Sequence, residues 1–478
     1  MSLLRLAFAA FVALGAAAQA APPGGPPVPA APPVAAAPLV VEPVQTPVEA
    51  LGEDAGEYAR AYGVPIGEAY RRLAAQEASV AATDQLQARY RERLAGLFIE
   101  HSPEYRIVLL LTGSEAVPDS EIRAAGMRIK VVFRTGAEAT RDQIVAAIKA
   151  HQAEIRAALA RPPALGADPR SGVLVIMDYG ALPADVASLT ARFAALTGVP
   201  VRMESLERPE KNLAVEGGAR LEGAVDGRRY ACTTGFVVTD GVRRGIVTAA
   251  HCPDILAFVG PQRQQTPLEF VGQWGWGFQD VQVNVGAPDL KPLFFSDTAK
   301  RIVRPVTGAR TRAGTRSGDF VCHRGESTGY SCSEVLLTDF APAGDLCGGA
   351  CLPTWVTVGG PTCKGGDSGS PVFAGTVAFG IVKGGSYRAD GSCIFYFYMS
   401  TDYLPEGWAL LGPGAALPAG APRLPASPEG RAGPSKQESR PASPQSRRAD
   451  RWGRVVARAT WPNASAQISG TSSLPRSR

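Results

Sequence analysis

The sequence predicts two folded units of different class, an α+β unit over residues 51–212 and an all-β unit over residues 213–411. Three observations carry this division. Long stretches of the first unit repeat their apolar residues at helical spacing, whereas the second consists of short β-rich runs punctuated by glycine. All eight cysteines fall between Cys232 and Cys393, none in the preceding half. The length, 478 residues, also exceeds one ordinary domain.

In chain order, residues 1–20 carry Arg5 near their start, continue through the apolar run Leu6 to Ala18 and end in Ala18-Gln19-Ala20. This is the pattern of an export signal removed by cleavage. The run is shorter than the ~20 residues a membrane-spanning helix needs, so no membrane anchor is expected after its removal. Residues 21–50 are mostly Pro and Ala and read as an extended linker. Helices are expected over Glu68–Glu77 and Asp84–Leu97, then strands over Tyr105–Leu111 and Ile129–Phe133. A long helix over Thr140–Leu159 follows, with Ile144, Ala147, Ile148, Ile155 and Leu159 on one face. A strand, helix, strand pattern closes the unit at Val173–Met177, Ala184–Leu196 and Val199–Met203.

Beyond about Arg208, strand-like runs include Gly235–Val238, Gly245–Val247, Asp280–Val285, Thr354–Val358, Ser370–Phe373, Val377–Val382 and Ile394–Met399. Short strands with frequent turns and no long helix predict a β barrel or sandwich. Residues 412–478 are dominated by Pro, Ala, Ser, Gly and Arg and read as a disordered basic tail. The tail supplies most of the net charge of +5, which is therefore no footprint of a nucleic-acid partner.

An even cysteine count confined to one region of an exported chain reads as disulfides rather than metal ligands. A zinc reading of Cys347-x3-Cys351 lacks a second ligand pair at finger spacing. Neither a metal nor an organic cofactor is expected.

Two segments carry chemistry: Thr248-Ala249-Ala250-His251-Cys252, and Cys363-Lys364-Gly365-Gly366-Asp367-Ser368-Gly369-Ser370-Pro371. A serine hydroxyl is a poor nucleophile at neutral pH, so an imidazole must take its proton while a carboxylate orients the imidazole. The chain has four histidines. His101 and His151 lie in the cysteine-free unit, where surface or capping roles are expected, and His323 lies in a turn-rich stretch. His251 alone ends an apolar strand beside a cysteine. The glycines before Ser368 allow a tight turn in which the amides of Gly366 and Ser368 converge on one spot, an oxyanion hole.

These segments resemble the two halves of the active site of the chymotrypsin-like (trypsin-like) serine proteases, in that superfamily's order of His, Asp, Ser. The resemblance is closest to the bacterial secreted branch, the streptogrisin and α-lytic protease type. Three more segments carry it: Cys232-Thr233-Thr234-Gly235-Phe236, Val321 to Cys332, and Ala378 to Ser386, so that it spans residues 215–405. It implies a double six-stranded β-barrel fold and a secreted serine endopeptidase, with His251 as general base, Ser368 as nucleophile and an aspartate just before a short apolar strand. Asp280, in Gly277-Phe278-Gln279-Asp280-Val281-Gln282-Val283, fits that place. Asp254 is too close to His251, and Asp289 and Asp297 are reserves in loops. The family pattern pairs Cys232 with Cys252, Cys322 with Cys332 and Cys363 with Cys393, leaving Cys347 and Cys351 as a local pair. Loops of this size stabilise by roughly 2–4 kcal/mol each when closed.

By the same resemblance, Lys383, Gly384 and Gly385 line the substrate site. Several positions depart from the pattern. Ser370 replaces a glycine, which requires the backbone there to avoid positive φ. Lys383 stands where the family has a serine supporting the catalytic aspartate; it either holds that carboxylate or points into the cleft. His323 stands where relatives carry an arginine paired with Asp367, a charge that Arg324 next door could supply. Val382 stands where a histidine would point to glutamate preference, which leaves apolar residues as the expected target. The expected partners are protein and peptide substrates and the chain's own amino-terminal unit. That unit resembles a pro-region, a folding assistant and inhibitor removed by cleavage between about Leu206 and Gly223, and the mature form is expected to be a monomer. Against this stand a permanently attached interaction domain, an inactive binding module on the protease scaffold, and an esterase without peptidase activity.

Overall fold

The computed structural model describes residues 44–208, 211–212, 219–225, 228–260, 263–287, 290–360 and 362–412. The export signal, most of the linker, Asp289 and the basic tail lie outside them.

Helix α1 (Pro47–Tyr62) begins inside the segment expected to be linker. Thr46 caps it: its hydroxyl accepts from the Glu49 N–H, and the Glu49 carboxylate accepts from the Thr46 N–H at 2.8 Å. Pro47 sits at the first helical position, where a missing N–H costs nothing. The proline that reads as linker is therefore a helix start. Helices α2 (Ile66–Ala78) and α3 (Val80–Arg89) follow, but the helix expected as far as Leu97 stops eight residues short of it. Leu94–Glu100 is instead a strand paired antiparallel with Arg106–Thr112. Its residues Leu94 to Ile99 are all buried, and a continuous apolar run does not by itself separate strand from helix.

The first sheet has the order Leu94–Glu100, Arg106–Thr112, Met127–Ala137, Ser120–Ala124, with Ile107, Leu109, Ile129 and Val131 in its core. Helix α4 (Arg141–Ala158), capped by Thr140 and Gln143, and helix α5 (Val186–Thr197) pack on a second sheet built from Ala164–Asp168, Val173–Tyr179 and Val201–Leu206. The last two strands are parallel, with α5 as their crossover. This sheet does not end with the amino-terminal unit. Phe340–Ala341 of the β unit joins its edge, Phe340 opposite Gly166 and Ala341 opposite Leu165.

The β unit has two halves. Residues 220–285, with Ala409–Leu410 from the end of the unit, form two antiparallel sheets, one around Arg220–Val225 and one ordered Glu269–Trp274, Val281–Val285, Arg244–Thr248, Val237–Thr239, Ala409–Leu410. The second half is one larger sheet with the path Gly329–Glu334, Phe320–Gly325, Pro371–Ala374, Val377–Tyr387, Cys393–Ser400, Val356–Gly359. Four disulfides join Cys232–Cys252, Cys322–Cys332, Cys347–Cys351 and Cys363–Cys393, the pairs the resemblance implies.

The seam between the units is polar and buried. Arg304 of the β unit is fully buried; its guanidinium donates to Asp54 at 2.8 Å, Glu53 at 2.9 Å and Gln45 at 2.9 Å, all on or just before α1. Arg316 donates to the hydroxyl of Ser79 and the carbonyl of Gln76, while the Gln76 side chain pairs with the Phe320 backbone. Arg141 of α4 makes a two-pronged pair with Asp339 at 2.6 and 2.9 Å.

His101, expected at the surface, is buried in this seam. Its Nε2 lies 2.7 Å from the Gly318 carbonyl, which can only accept, so Nε2 carries the proton and Nδ1 accepts from the Tyr58 hydroxyl at 2.7 Å. The reason it eludes a sequence reading is that its partners lie 43 and 217 residues away. Burial pushes its pKa down to about 4. An unfolded histidine titrates near 6.5, so the unfolded chain binds more protons between these values and stability falls as pH drops through that window. In the uncut Ser368→Ala protein, the denaturation midpoint is expected to fall between pH 6.5 and 4, and His101→Gln to remove about 3 kcal/mol of that dependence. An unchanged pH profile in His101→Gln would contradict the assignment. His323, also buried and held down to about 3, supplies acid sensitivity of the same sign over the same window and on to lower pH.

Candidate active site

Arg244–Thr248 and Val281–Val285 are neighbouring antiparallel strands, with Thr248 opposite Gln282. His251 follows the first strand and Asp280 precedes the second, so both side chains emerge at one end of the same sheet. The serine loop packs onto that end. The Thr233 N–H donates to the Ser368 carbonyl at 2.8 Å, and the Gly369 N–H to the Val382 carbonyl at 2.7 Å. Gly369 has φ of +83°, and a Cβ there would lie 2.3 Å from Thr248 Oγ1, which explains the glycine after the serine.

His251 Nδ1 lies 2.8 Å from Asp280 Oδ2, and His251 Nε2 lies 2.7 Å from Ser368 Oγ. The carboxylate can only accept, so Nδ1 carries the proton and Nε2 is the nitrogen that can receive one from the hydroxyl. Asp280 and Ser368 are buried. Burial alone pushes the Asp280 carboxyl up; the charges of His251 and Lys383 outweigh it and hold the group below the usual carboxylate range. The Asp280 N–H points at Met399 Sδ, 3.2 Å away.

The backbone before Ser368 is also fixed. The Gly365 carbonyl accepts from Ser327 Oγ at 2.8 Å and the Asp367 carbonyl from the Ser370 N–H at 2.9 Å. In a trans peptide the N–H points opposite to its C=O, so these two bonds set the directions of the Gly366 and Ser368 amides.

Lys383 does not line the cleft, which corrects its expected place among substrate-contacting residues. It is 1 % exposed, its Nζ lies 3.4 Å from Asp280 Oδ2 and 5.1 Å from the centre of the Trp355 ring. Burial pushes the ammonium below the usual lysine range, with Asp280 acting against that shift. Gly384 and Gly385 stand opposite Asn212 and Lys211 in an antiparallel pairing, so the segment joining the two units occupies their edge.

Arg324 does not serve Asp367. Its guanidinium goes to the carbonyls of Asp297 and Thr298 and to Glu326, on the other side of its strand. Asp367 is held by the Ser327, Thr328 and Lys364 N–H groups and the Thr328 hydroxyl, with His323 Nε2 at 4.0 Å. Burial, only partly offset by these bonds, pushes Asp367 up to about 6. It thus works against stability as pH rises from about 4 to 6, opposite in sign to His101. His323 lies in a strand, Phe320–Gly325, not in a turn. The room for Asp367 comes from Gly325, where a Cβ would sit 1.9 Å from Asp367 Oδ1.

Ser370 is absent from the residues of positive φ, and its backbone bonds both ways, to Asp367 and from Val382. Asp297 accepts from the N–H groups of Ala299, Arg301 and Ile302 and so closes a turn away from the triad. Thr233, Ser327, Thr328, Trp355 and Met399 support the site in roles the sequence reading did not assign. Only Thr233, next to a disulfide cysteine, carried a local signal.

A buried carboxylate, an imidazole and a hydroxyl in line form the constellation that can activate a serine hydroxyl as a nucleophile. No family model matches the chain. It is 26 % identical over 237 residues to Streptogrisin-C of Streptomyces griseus, an alignment covering 47 % of this chain and 47 % of that protein. The chain thus matches about half the length of this curated relative. Similar solved structures include Thermobifida fusca Protease A, at 22 % identity over 42 % of this chain and 99 % of that one, TM-score 0.32. Another is the α-lytic protease homolog N4, at 21 % over 39 % and 93 %, TM-score 0.30. With its motifs and disulfide pairs, the carboxy-terminal region of the chain is similar to the chymotrypsin-like serine proteases of the streptogrisin and α-lytic type.

Proposed function

We propose that this protein is a secreted serine endopeptidase made as a zymogen, its β unit closing into two six-stranded barrels with the triad between them. The observation that carries the reading is the continuous hydrogen-bonded line from Asp280 through His251 to Ser368. In the reaction, His251 takes the Ser368 proton as Oγ attacks the scissile carbonyl. The Gly366 and Ser368 amides face the oxyanion, and His251 then returns the proton to the leaving amine. Water deacylates the enzyme by the same route. Asp280 keeps Nδ1 protonated and stabilises the imidazolium.

The zymogen reading is supported by the strand Lys211–Asn212, which lies on Gly384–Gly385, where a peptide substrate would add as a strand. While it stays there, substrate is excluded. Residues 206–223 must therefore be cut, and secreted material is expected to begin within them. Of these, residues 209–210 and 213–218 lie outside the described ones. Export is supported by four disulfides.

The test is a fluorophosphonate probe applied to processed and uncut protein. Labelling at Ser368 in the processed form, and much less in the uncut form, is expected. Failure of the processed form to label would favour an inactive scaffold used for binding; cleavage of short acyl esters with no action on casein would favour an esterase.

A further inference from the structure

Asp280 Oδ2 is shared. The oxygen that accepts the His251 Nδ1 proton at 2.8 Å is also the one that lies 3.4 Å from Lys383 Nζ. Among the described residues the lysine has no well-formed hydrogen bond; its ammonium is held by charge between Asp280 and the face of Trp355. Behind the carboxylate, in a site almost closed to water, sits a second cation that an uncharged residue at this position would not provide.

We propose that Lys383 is a positioning residue that acts through Asp280 to weaken proton uptake by the His251–Asp280 pair, so that the enzyme keeps an unprotonated base, and its activity, at lower pH. The inference rests on the triad reading above. Its physical basis is the charge balance. With Lys383 charged, the Asp280–His251 pair is electrically compensated before it takes a proton and carries an uncompensated positive charge afterwards. With a neutral residue at 383, the pair starts with a buried net negative charge and is neutralised by the same proton. Burial makes the difference large, because neither state is well screened by water or salt. Among the described residues, the titratable groups that act on Asp280 are His251 and Lys383, and the one that acts on Lys383 is Asp280. The proton belongs to the pair rather than to either member, so the argument does not depend on which of them holds it. Lys383 touches no reacting atom; its effect is on when the base is available and on which way Asp280 faces.

The experiment follows proton uptake directly in the uncut full chain carrying Ser368→Ala, with labelled histidine and nuclear magnetic resonance. Four histidines make the assignment tractable, and His251→Gln identifies the resonance. Relative to Lys383, the variants Lys383→Met and Lys383→Ser are expected to raise the His251 titration midpoint by about one to two pH units. In the processed active enzyme the same variants are expected to raise the acid limb of kcat/KM by the same amount. A purely structural role would lower activity at every pH and leave both midpoints in place. A midpoint that moves by less than about 0.3 units, or downwards, in either folded variant overturns the proposal, and so does a lysine that proves neutral across the range. Should Lys383→Met not fold, Lys383→Ser carries the measurement. The titration needs no turnover, so its failure is distinct from failure of the protease reading, which the Ser368 probe tests.

Discussion

Ser368→Ala and His251→Ala are each expected to lower hydrolysis of casein or a peptide substrate by several orders of magnitude, on the order of 10⁴–10⁶, with disulfides and denaturation midpoint unchanged. The two losses should be similar, and the double variant no worse than either single one. The hydroxyl and the imidazole act as a unit: without the base, Oγ stays protonated, and without Oγ the base has nothing to activate. Asp280→Asn should cost roughly 10⁴-fold, because an amide at 2.8 Å from Nδ1 can donate and so favours the wrong tautomer. The check is steady-state kinetics on protein processed by an added protease, since the Ser368 variant is expected to leave the 206–223 segment uncut. Turnover like that of the wild type in either purified single variant would remove the triad from the mechanism.

These residues were legible because the chemistry at each is written locally. A histidine that ends an apolar strand beside a disulfide cysteine, and a serine amid glycines, are short-range patterns. Asp280 needed one further inference, that a carboxylate flanking a strand would reach the end of its neighbour, and the pairing of Thr248 with Gln282 is what brings it there. Lys383 shows where this stops. Whether a lysine on a strand faces a cleft or turns under it depends on what lies beneath, here Asp280, more than a hundred residues upstream, and Trp355. Arg324 was misread for the same reason, since its acceptors sit on the segment around Asp297 and Thr298.

In the amino-terminal unit, amphipathic helices such as α4 were visible because one face is apolar and a capping box marks the start. The strand Leu94–Glu100 was not, because it is buried on both faces and loses the alternation that marks a half-exposed strand. Helix α1 was hidden by its proline. The polar seam was invisible altogether, because Arg304 and Asp54 are 250 residues apart and nothing local marks either as buried.

That seam makes the second large prediction. Asp54 on α1 accepts from Arg304 at 2.8 Å, from the Tyr330 hydroxyl at 2.6 Å and from the Gly375 N–H at 2.6 Å, so one carboxylate collects three groups of the β unit. Glu53 and Gln45 also reach Arg304, but neither touches Tyr330 or Gly375. Asp54→Ala should therefore destabilise the uncut Ser368→Ala protein by about 3–5 kcal/mol, the typical cost of leaving one member of a buried ion pair behind. Asp54→Asn should cost less, since it keeps the shape and part of the hydrogen bonding. The separated amino-terminal unit carrying Asp54→Ala should bind the β unit on the order of 10²–10³-fold more weakly than the wild-type unit, measured as inhibition of the processed enzyme. A seam that tolerated Asp54→Ala would mean that Glu53 and water satisfy Arg304 on their own. The amino-terminal unit would then have to hold the β unit through the shared sheet at Phe340–Ala341 and the Arg141–Asp339 pair instead.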